Sequence, residues 1–396
     1  MNTTTPTAQR LLALDVLRGI TIAAMILVNN PGSWGSIYAP LAHAQWNGMT
    51  PTDLIFPFFL FIMGASMYIS LSRQGFQFSS SYFRKSFKRS VLIFAIGIAL
   101  GFVARICFSA FDIASAEPLG QRLVDSLLQV NNVRIPGVLQ RLAVSSFLGS
   151  LIVVSVPYKH LLQVAAGLLV LYAVILFLGN GFELSPQNLI ARIDLALFGE
   201  GHIYKDVMAD GTVIPFDPEG LLSTLPCLAQ VILGVYCGGL LMSKAHALND
   251  KIVQLFIFGG ISLLLGELLS YGIPVNKKIW SSTYVLVSCG YASILLGLLV
   301  WFIDVKGYRQ WCKPFNDFGV NPLVIYITGT VFGILFDAVR VNLGDRVQSI
   351  QELIYQFLVG VTGNDHLSSL LFALFIVMLS WLVAKELHRR SIYIKL

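Results

Sequence analysis

The stretch that decides the fold reads LLQVAAGLLVLYAVILFL from Leu161 to Leu178 and contains no charged residue. An α-helix of this length rises about 27 Å, which nearly spans the roughly 30 Å hydrocarbon core of a lipid bilayer. Inside hydrocarbon each backbone N–H and C=O group needs a partner within the protein, and a helix supplies them locally. The stretch is also too long and too continuous for a strand of a membrane barrel. It therefore predicts a transmembrane helix.

Nine further stretches share this character, so the sequence predicts an all-α polytopic membrane protein, a bundle of about ten transmembrane helices. The predicted spans are residues 11–28, 54–71, 90–107, 137–156, 161–178, 222–242, 252–271, 282–303, 320–336 and 368–387. Of the 396 residues, 56% are hydrophobic and 12% are charged, whereas soluble domains carry about twice that charged fraction. No linker or internal repeat interrupts the series, and we expect a single transmembrane domain over residues 1–396.

The distribution of basic residues predicts which way the bundle faces. In the predicted loops, 16 lysines and arginines lie on the side of the two termini and 8 lie on the other side. Because cytoplasmic loops carry the excess of basic residues, we expect both termini to be cytoplasmic. The loops 29–52 and 179–221 then face outward. The second loop is acidic. Either a solvated loop or a surface that attracts a cationic partner would explain this charge.

Composition and motifs argue against several classes of protein. The five cysteines show no C-x-x-C or other metal-ligand spacing, so we expect inert apolar thiols and no metal. The net charge of +6 arises from basic residues in short loops, and a membrane explains these better than a nucleic acid does. Glycine-rich nucleotide loops, a nucleophile elbow and histidine pairs at metal spacing are absent from the sequence.

Charged residues also fall inside predicted spans. Asp15 and Arg18 lie three residues apart in the first span, so they share a helix face and can pair. Such charges usually face a bundle interior, either as a structural ion pair or in a polar cavity for a substrate. The segment 134–141 (RIPGVLQR) opens the fourth span. Its Arg134 either binds a ligand or only snorkels to the interface, whereas Arg141 calls for a carboxylate or phosphate partner.

The outward loop 29–52 offers the polar and aromatic groups that a wet cleft against the membrane needs. His43 is the only histidine of this loop, and imidazole suits proton transfer near neutral pH, although a loop histidine is often only solvated. Trp46 fits either a site or an interfacial anchor. Asp53 is expected to cap or to lie in the first turn of the second helix.

A series of polar blocks in this sequence resembles the heparan-alpha-glucosaminide N-acetyltransferase family and its bacterial relatives. The blocks are residues 14–20 (LDVLRGI), 28–29 (VN), 43–48 (HAQWNG), 53–57 (DLIFP), 61–64 (FIMG), 134–141 (RIPGVLQR), 216–220 (FDPEG), 276–281 (NKKIWS) and 318–323 (FGVNPL). They occur in order over nearly the entire chain, and several unusual blocks agree at once. The resemblance is therefore specific.

This resemblance implies a transmembrane enzyme that transfers an acetyl group from cytosolic acetyl-CoA to an amino sugar. His43 matches the catalytic histidine of the family, and Asn29 matches the asparagine beside it. An acetylated histidine and direct transfer both remain open, and we favour direct transfer. His43 would then take a proton from the incoming amine, while Asn29 orients the amine or donates to the thioester oxygen.

The resemblance also implies a larger binding site for the acceptor and for CoA. We expect this site to include Asp15, Arg18, Trp46, Asn47, Asp53, Arg134, Gln140, Arg141 and Lys278. The CoA phosphates call for cations on the cytoplasmic side, and the candidates are Arg84, Lys85, Lys88, Arg89 and Lys313. The expected partners are an amino-sugar acceptor and the lipid bilayer, with no nucleic acid, and a homodimer remains an option.

The front of the chain departs from the animal enzymes. Residues 1–9 form a short polar tail, and no luminal domain precedes the predicted first span. We therefore expect a bacterial-type protein of the cytoplasmic (inner) membrane with a glucosamine-type acceptor on the periplasmic side. A lysosomal role and a heparan substrate are not expected.

Two other functions fit the same residues. An amino-sugar transporter would use Asp15, Arg18 and Arg141 along a substrate path, because intramembrane charges are common in transporters. Against this reading, the two halves of the sequence show no paired, glycine- or proline-broken helices. An O-acetyltransferase acting on a glycan hydroxyl would differ only in its acceptor.

Overall fold

The computed structural model of the chain describes residues 12–113, 115–208, 210–344 and 346–394. Some of the predictions above fall on residues outside this part of the chain. They concern the polar tail 1–9, Leu11 of the predicted first span, and Arg10 and Lys395 of the charge count.

The described residues form fourteen α-helices and two short antiparallel hairpins. The helices are α1 Leu12–Asn29, α2 Ile55–Ser72, α3 Ser80–Ala110, α4 Leu119–Leu128, α5 Val138–Ser155, α6 Leu161–Leu178, α7 Leu189–Phe198, α8 Thr224–Met242, α9 Leu248–Ser270, α10 Ser282–Leu299, α11 Lys313–Val320, α12 Pro322–Ala338, α13 Ile350–Thr362 and α14 Asp365–Arg389. The strands are β1 Lys205–Val207, β2 Val213–Pro215, β3 Arg340–Asn342 and β4 Val347–Ser349. β1 pairs with β2, and β3 pairs with β4.

Nine helices of the described segments are long and apolar enough to cross a membrane, and the bent pair α11–α12 makes ten if it counts as one span. The prediction of an all-α polytopic membrane protein is therefore confirmed. Its orientation in the membrane stays a prediction.

The third span is longer than predicted. α3 begins at Ser80 instead of residue 90 because the Ser79 side chain accepts a hydrogen bond from the Tyr82 N–H, at 3.1 Å. Such a cap satisfies one of the free donors at a helix start. The basic residues of this segment, including Arg84 and Arg89, are therefore helical and extend the helix beyond its apolar part.

The ninth span is broken where the sequence predicted a helix from residue 320. α11 and α12 meet at an angle of 83°, and the bend lies at Asn321, whose φ and ψ are −125° and 55°. Proline disfavours helical geometry in the residue before it, so Pro322 accounts for the break. The Asn321 side chain also binds the segment that follows α14: it donates to the Ile392 carbonyl and accepts from the Ile394 N–H.

The two ends of the bundle differ in the loops and termini that they carry. The end where α1 finishes and α2 begins carries the loop with His43 and is called the His43 side. α14 begins there too, since the Gly32 N–H donates to the Ser369 carbonyl at 3.1 Å. The end where α1 begins and α14 finishes is called the terminal side.

Close helix packing in the centre depends on small residues. α8 is the most enclosed span, with 78% of its apolar window buried. It lies directly on α2, and a Cβ added at Gly64 would clash with the Val231 carbonyl oxygen, as one at Gly234 would with that of Phe61. Small residues let membrane helices approach closely enough for such contacts.

The His43 side is covered by short elements where the sequence suggested only loops. α7 and the β1–β2 hairpin fill much of the loop 179–221. A buried apolar cluster holds them to the end of α6 and to the loop 271–281, and its members are Tyr172, Leu176, Ile190, Ala191, Ile214, Phe216 and Ile279. The loop 271–281 is thereby fixed beside the His43 loop.

Candidate functional site

The site begins with a tight turn that precedes α2. Residues Pro51–Leu54 form a 3₁₀ helix, and Thr50 and Asp53 cap it reciprocally. The Thr50 N–H donates to Oδ2 of Asp53 at 3.0 Å, and Asp53 is fully buried. Asp53 is thus the first-turn carboxylate that the sequence predicted, and its position is rigidly defined.

The same carboxylate holds the imidazole of His43. Asp53 Oδ1 lies 2.7 Å from His43 Nδ1, and Oδ2 accepts from the Ala44 N–H at 3.1 Å. The His43 side chain is 46% exposed, whereas that of Asp53 is 1% exposed. A carboxylate on Nδ1 orients the ring and leaves Nε2 available to a reactant.

A lysine from a distant part of the chain completes this cluster. Lys277 Nζ lies 3.3 Å from Asp53 Oδ1 and 2.9 Å from His43 Nδ1. Burial lowers the pKa of Lys277, although the negative charges of Asp53 and Glu219 oppose this shift. The lysine predicted for the site is Lys278, and no pattern in the segment 276–281 distinguishes the two lysines.

Lys278 has a different role in the fold. Its Nζ lies 2.5 Å from Asp206 Oδ2, so it ties the loop 271–281 to strand β1. Asn276 of the same loop donates to Asn47 Oδ1 at 3.2 Å. The Gly48 N–H also donates to the Val275 carbonyl at 2.8 Å. These contacts hold the loop carrying Lys277 against the loop carrying His43.

Trp46 forms a wall of the same region. Its Nε1–H donates to the Phe182 carbonyl at 2.9 Å, and its ring packs edge-on against Phe216 with ring centres 5.4 Å apart. Trp46 is therefore fixed by the covering elements of the His43 side.

Asn29 lies at the last position of α1 on the His43 side and is exposed. Its side chain makes no hydrogen bond to any residue that the structure describes. The structure thus places Asn29 at the same end of the bundle as His43 without joining the two.

Arg134 makes a second polar cluster on this side. It donates to both oxygens of Asp217, at 2.8 and 2.6 Å, and also pairs with Glu219. Burial disfavours ionisation of Asp217, but hydrogen bonding to Arg134 and its positive charge outweigh burial and hold the pKa of Asp217 below its ordinary value. Asp217 and Glu219 precede α8, which begins at Thr224.

Arg141 is buried close by. One of its nitrogens, Nη2, donates to the Gly220 carbonyl at 3.0 Å and to Ser223 Oγ, and its guanidinium lies 5.0 Å from the ring centre of Trp280. Nε and Nη1 are buried and have no hydrogen-bond partner among the described residues. Since unsatisfied buried donors are costly, they mark a place for a further acceptor.

The remaining predicted residues lie away from His43. Arg18 pairs with Asp15 at 2.8 Å, donates to Ser66 at 2.6 Å, and lies close enough to Arg89 for the two cations to repel. Gln140 is buried where α5 meets α3 and lies against Gly97. These contacts join α1 to α2 and α5 to α3.

The arrangement defines a polytopic membrane protein with an oriented, half-exposed histidine at one end of its bundle. A family model described as "Heparan-alpha-glucosaminide N-acetyltransferase, catalytic" matches residues 10–271, more than half of the 396 residues. The chain therefore belongs to the heparan-alpha-glucosaminide N-acetyltransferase family, as its sequence blocks suggested.

Two curated relatives agree with this assignment. The chain is 31% identical over 375 residues to the heparan-alpha-glucosaminide N-acetyltransferase of Homo sapiens, covering 82% of this chain and 53% of the relative. It is 28% identical over 369 residues to the enzyme of the same name from Mus musculus, covering 81% and 53%. The chain thus spans about half the length of the curated relatives it matches.

Proposed function

We propose that this protein is a transmembrane acetyltransferase that moves an acetyl group from acetyl-CoA to the amine of a glucosamine-type sugar. The observation that carries the proposal is the contact of His43 Nδ1 with buried Asp53, in a side chain that is itself half-exposed. The other ring nitrogen, Nε2, lies 3.4 Å from Lys277 Nζ. The names of its relatives support an acetyl group and an amino-sugar acceptor.

The proposed reaction is direct transfer. The amine nitrogen of the acceptor attacks the thioester carbon, a C–N bond forms, and the C–S bond breaks to release CoA. His43 Nε2 takes the proton that the amine loses and delivers it to the departing thiolate. General base catalysis of this kind contributes about 10²- to 10⁴-fold to a rate.

Asp53 acts in this scheme through His43. Its buried carboxylate fixes the ring with Nδ1–H as donor and stabilises the imidazolium that forms when Nε2 takes the proton. Asn29 lies at the same end of the bundle, and we assign it to the orientation of the amine or to the thioester oxygen as that oxygen becomes anionic.

The acceptor is proposed to bind between the two loops that meet at His43. Asn47 and Asn276 offer amide groups to sugar hydroxyls, and the Trp46 ring offers an apolar face. Glu219, which already pairs with Arg134, adds a carboxylate near Lys277 that attracts an incoming ammonium.

The donor is proposed to enter from the terminal side. Arg18 and Arg89 lie close together there, and exposed Lys313 opens α11; such cations suit the phosphates of CoA. The Nε and Nη1 donors of buried Arg141 have no hydrogen-bond partner among the described residues and would suit a carbonyl of the pantetheine arm. We place the terminal side in the cytoplasm of a bacterial cell, with the protein in its inner membrane.

A reconstituted system tests the transmembrane claim. Purified protein is inserted into sealed vesicles that hold glucosamine inside, and acetyl-CoA is added outside. N-acetylglucosamine should accumulate inside and match the CoA released outside, with none formed by His43→Ala. A transporter would instead release labelled glucosamine without consuming acetyl-CoA, and that result would overturn the proposal.

A further inference from the structure

A large cavity among the described residues lies on the lipid-facing side of the bundle. It has a volume of about 980 Å³ and lies between α6 and α9, with α8 and α10 at its floor. Its walls are almost wholly apolar, with residues such as Leu162, Val170, Ile257 and Leu265. It is a groove that opens sideways toward the surroundings of the bundle.

Its length exceeds one leaflet of a bilayer. Along α6 the groove runs from Leu162 to Val174, about 18 Å of helix, and along α9 it runs from Gln254 to Leu269, about 22 Å. Half of a hydrocarbon core is about 15 Å. An acyl chain lying in the groove would therefore extend from the membrane surface at the terminal side to the bilayer centre or slightly beyond it.

The polar groups of the groove are concentrated at the terminal side. Tyr158, Ser243, His246 and Gln254 line that end, whereas the opposite end is closed by residues such as Leu269. Gln254 Oε1 is buried without a hydrogen-bond partner among the described residues. Such an oxygen indicates that a donor is missing from this end of the groove.

The charge around this end is positive. Lys159 precedes α6, while Lys244 and Lys251 lie on either side of the turn from α8 to α9, and Asp250 is the only carboxylate within these two short segments, 156–160 and 243–251. A basic rim above an apolar groove complements a molecule with a negative head and a hydrocarbon tail.

We propose that this groove binds one anionic glycerophospholipid of the terminal-side leaflet, with its acyl chains between α6 and α9 and its phosphate at the lysine rim. The acyl chains then complete the packing of two helices that are poorly covered by protein, since only 28% of the apolar window of each is buried. A hydroxyl or amine of the headgroup would donate to Gln254. This inference does not rest on the proposed acetyl transfer.

Native mass spectrometry of the purified full chain tests this directly. Delipidated protein is titrated with phosphatidylglycerol and, separately, with phosphatidylcholine of the same acyl chains. One phosphatidylglycerol should bind per chain, at least tenfold more tightly than phosphatidylcholine. Ala166→Trp, which places a large ring in the groove from an exposed position, should weaken phosphatidylglycerol binding at least tenfold.

Matched variants keep the test decisive. Leu264→Trp adds the same ring on α9 outside the groove and should leave lipid binding unchanged. Lys244→Gln with Lys251→Gln should abolish the preference for phosphatidylglycerol, and this pair decides the matter if Ala166→Trp fails to fold. Equal binding of both lipids by the unaltered protein, or equal binding by Ala166→Trp, would overturn the proposal. A dimer that Ala166→Trp dissociates would assign the groove to a second copy instead.

Discussion

At the scale of single residues, Asp53 organises the candidate site because groups from four residues share its two oxygens. The backbone N–H groups of Ala44 and Thr50 point at Oδ2, while His43 Nδ1 and Lys277 Nζ lie next to Oδ1. Only an ionised carboxylate accepts from all four, since an amide has one accepting oxygen. The function of His43 should therefore depend on Asp53.

Asp53→Asn is expected to lower kcat for acetyl transfer by about 10²- to 10⁴-fold, because the imidazole loses the partner that fixes its tautomer. The measurement is steady-state CoA release at varied acceptor concentration, with thermal unfolding as a check on folding. Asp206→Asn removes a comparable carboxylate from Lys278 and should retain activity. Equal loss in both variants would mean that the charge of Asp53 is only structural.

Lys277 competes with Asp53 for the same imidazole nitrogen. A charged ammonium can only donate, so donation to His43 Nδ1 would place the ring proton on Nε2 and block that nitrogen as a base. Because burial lowers the pKa of Lys277, this competition should end at a pH below the usual range of lysine. The rate should then rise with pH as Lys277 loses its proton.

Lys277→Met is expected to shift the rise of kcat/KM to lower pH, because Nδ1–H then donates to Asp53 without competition and only His43 and the acceptor amine still have to lose a proton. Lys278→Met is the matched control and should keep the wild-type profile, since Lys278 contacts Asp206. The readout is the shape of the profile between pH 6 and 9, in about half-unit steps. A Lys277→Met profile that coincides with the wild-type profile would exclude a contribution of Lys277.

The sequence identifies His43 and Asp53 as separate candidates, but the contact between them comes from the 3₁₀ turn at Pro51–Leu54. Lys277 is 234 positions away from His43 along the chain, and no periodicity determines which of two adjacent lysines faces it. Pairings of this kind depend on the tertiary structure. The proposed roles of these residues stay predictions.

At the scale of elements, the segment 217–221 is held by hydrogen bonds from three other parts of the chain. Arg134 holds Asp217, Arg141 holds the Gly220 carbonyl, and Asp194 of α7 accepts from the Leu221 N–H at 2.8 Å. Burial raises the pKa of Asp194 to about 6, the charge of Asp217 adds to this rise, and the Leu221 N–H and Arg141 oppose it. The ionised form of Asp194 is therefore disfavoured by folding.

The raised pKa of Asp194 predicts the direction in which the free energy of unfolding changes with pH. A carboxyl whose pKa is raised on folding binds its proton more tightly in the folded state, so its contribution to stability falls as pH rises from about 4 to about 6 and is constant at higher pH. Asp194→Asn cannot ionise, and its melting temperature relative to the wild type should increase across this interval. Thermal unfolding in detergent at pH 5 and pH 7.5 measures it. A constant difference between the two proteins would contradict the assignment.

Packing of α2 on α8 makes a second prediction for elements. Gly64→Ala should lower the melting temperature, because the new methyl group meets the Val231 carbonyl and forces two central helices apart. Gly260→Ala on α9 adds the same methyl group where no atom lies within 4 Å. It should be neutral or stabilising by up to about 1 kcal/mol, as expected for alanine over glycine in a helix. Equal melting temperatures for the two variants would refute the close approach.

The spans could be predicted from sequence because hydropathy over 18 or more residues is a local property. The bend at Asn321 was missed although Pro322 was a visible signal for it. The covering elements of the His43 side, such as α7 and β1, were also missed. They are short, and their stability comes from burying residues such as Phe216 against distant parts of the chain.

At the scale of the whole molecule, the proposed chemistry is divided between the two ends of one bundle. His43 and Asp53 lie at the His43 side, whereas Arg18 and Arg89 lie toward the terminal side. Arg141 is buried at the fourth position of α5, near the His43 side, and two of its donors have no hydrogen-bond partner among the described residues. This division suits a reaction whose donor and acceptor approach from opposite faces of a membrane, and it depends on one claim above all, that His43 carries the transfer.

Release of free CoA from acetyl-CoA tests that claim most directly. The purified full chain in detergent is assayed with and without glucosamine, as wild type, His43→Ala and His160→Ala, the last being an exposed histidine at the terminal side. We expect CoA release that requires glucosamine, is lost in His43→Ala and is retained in His160→Ala. Release from folded His43→Ala at the wild-type rate would contradict it.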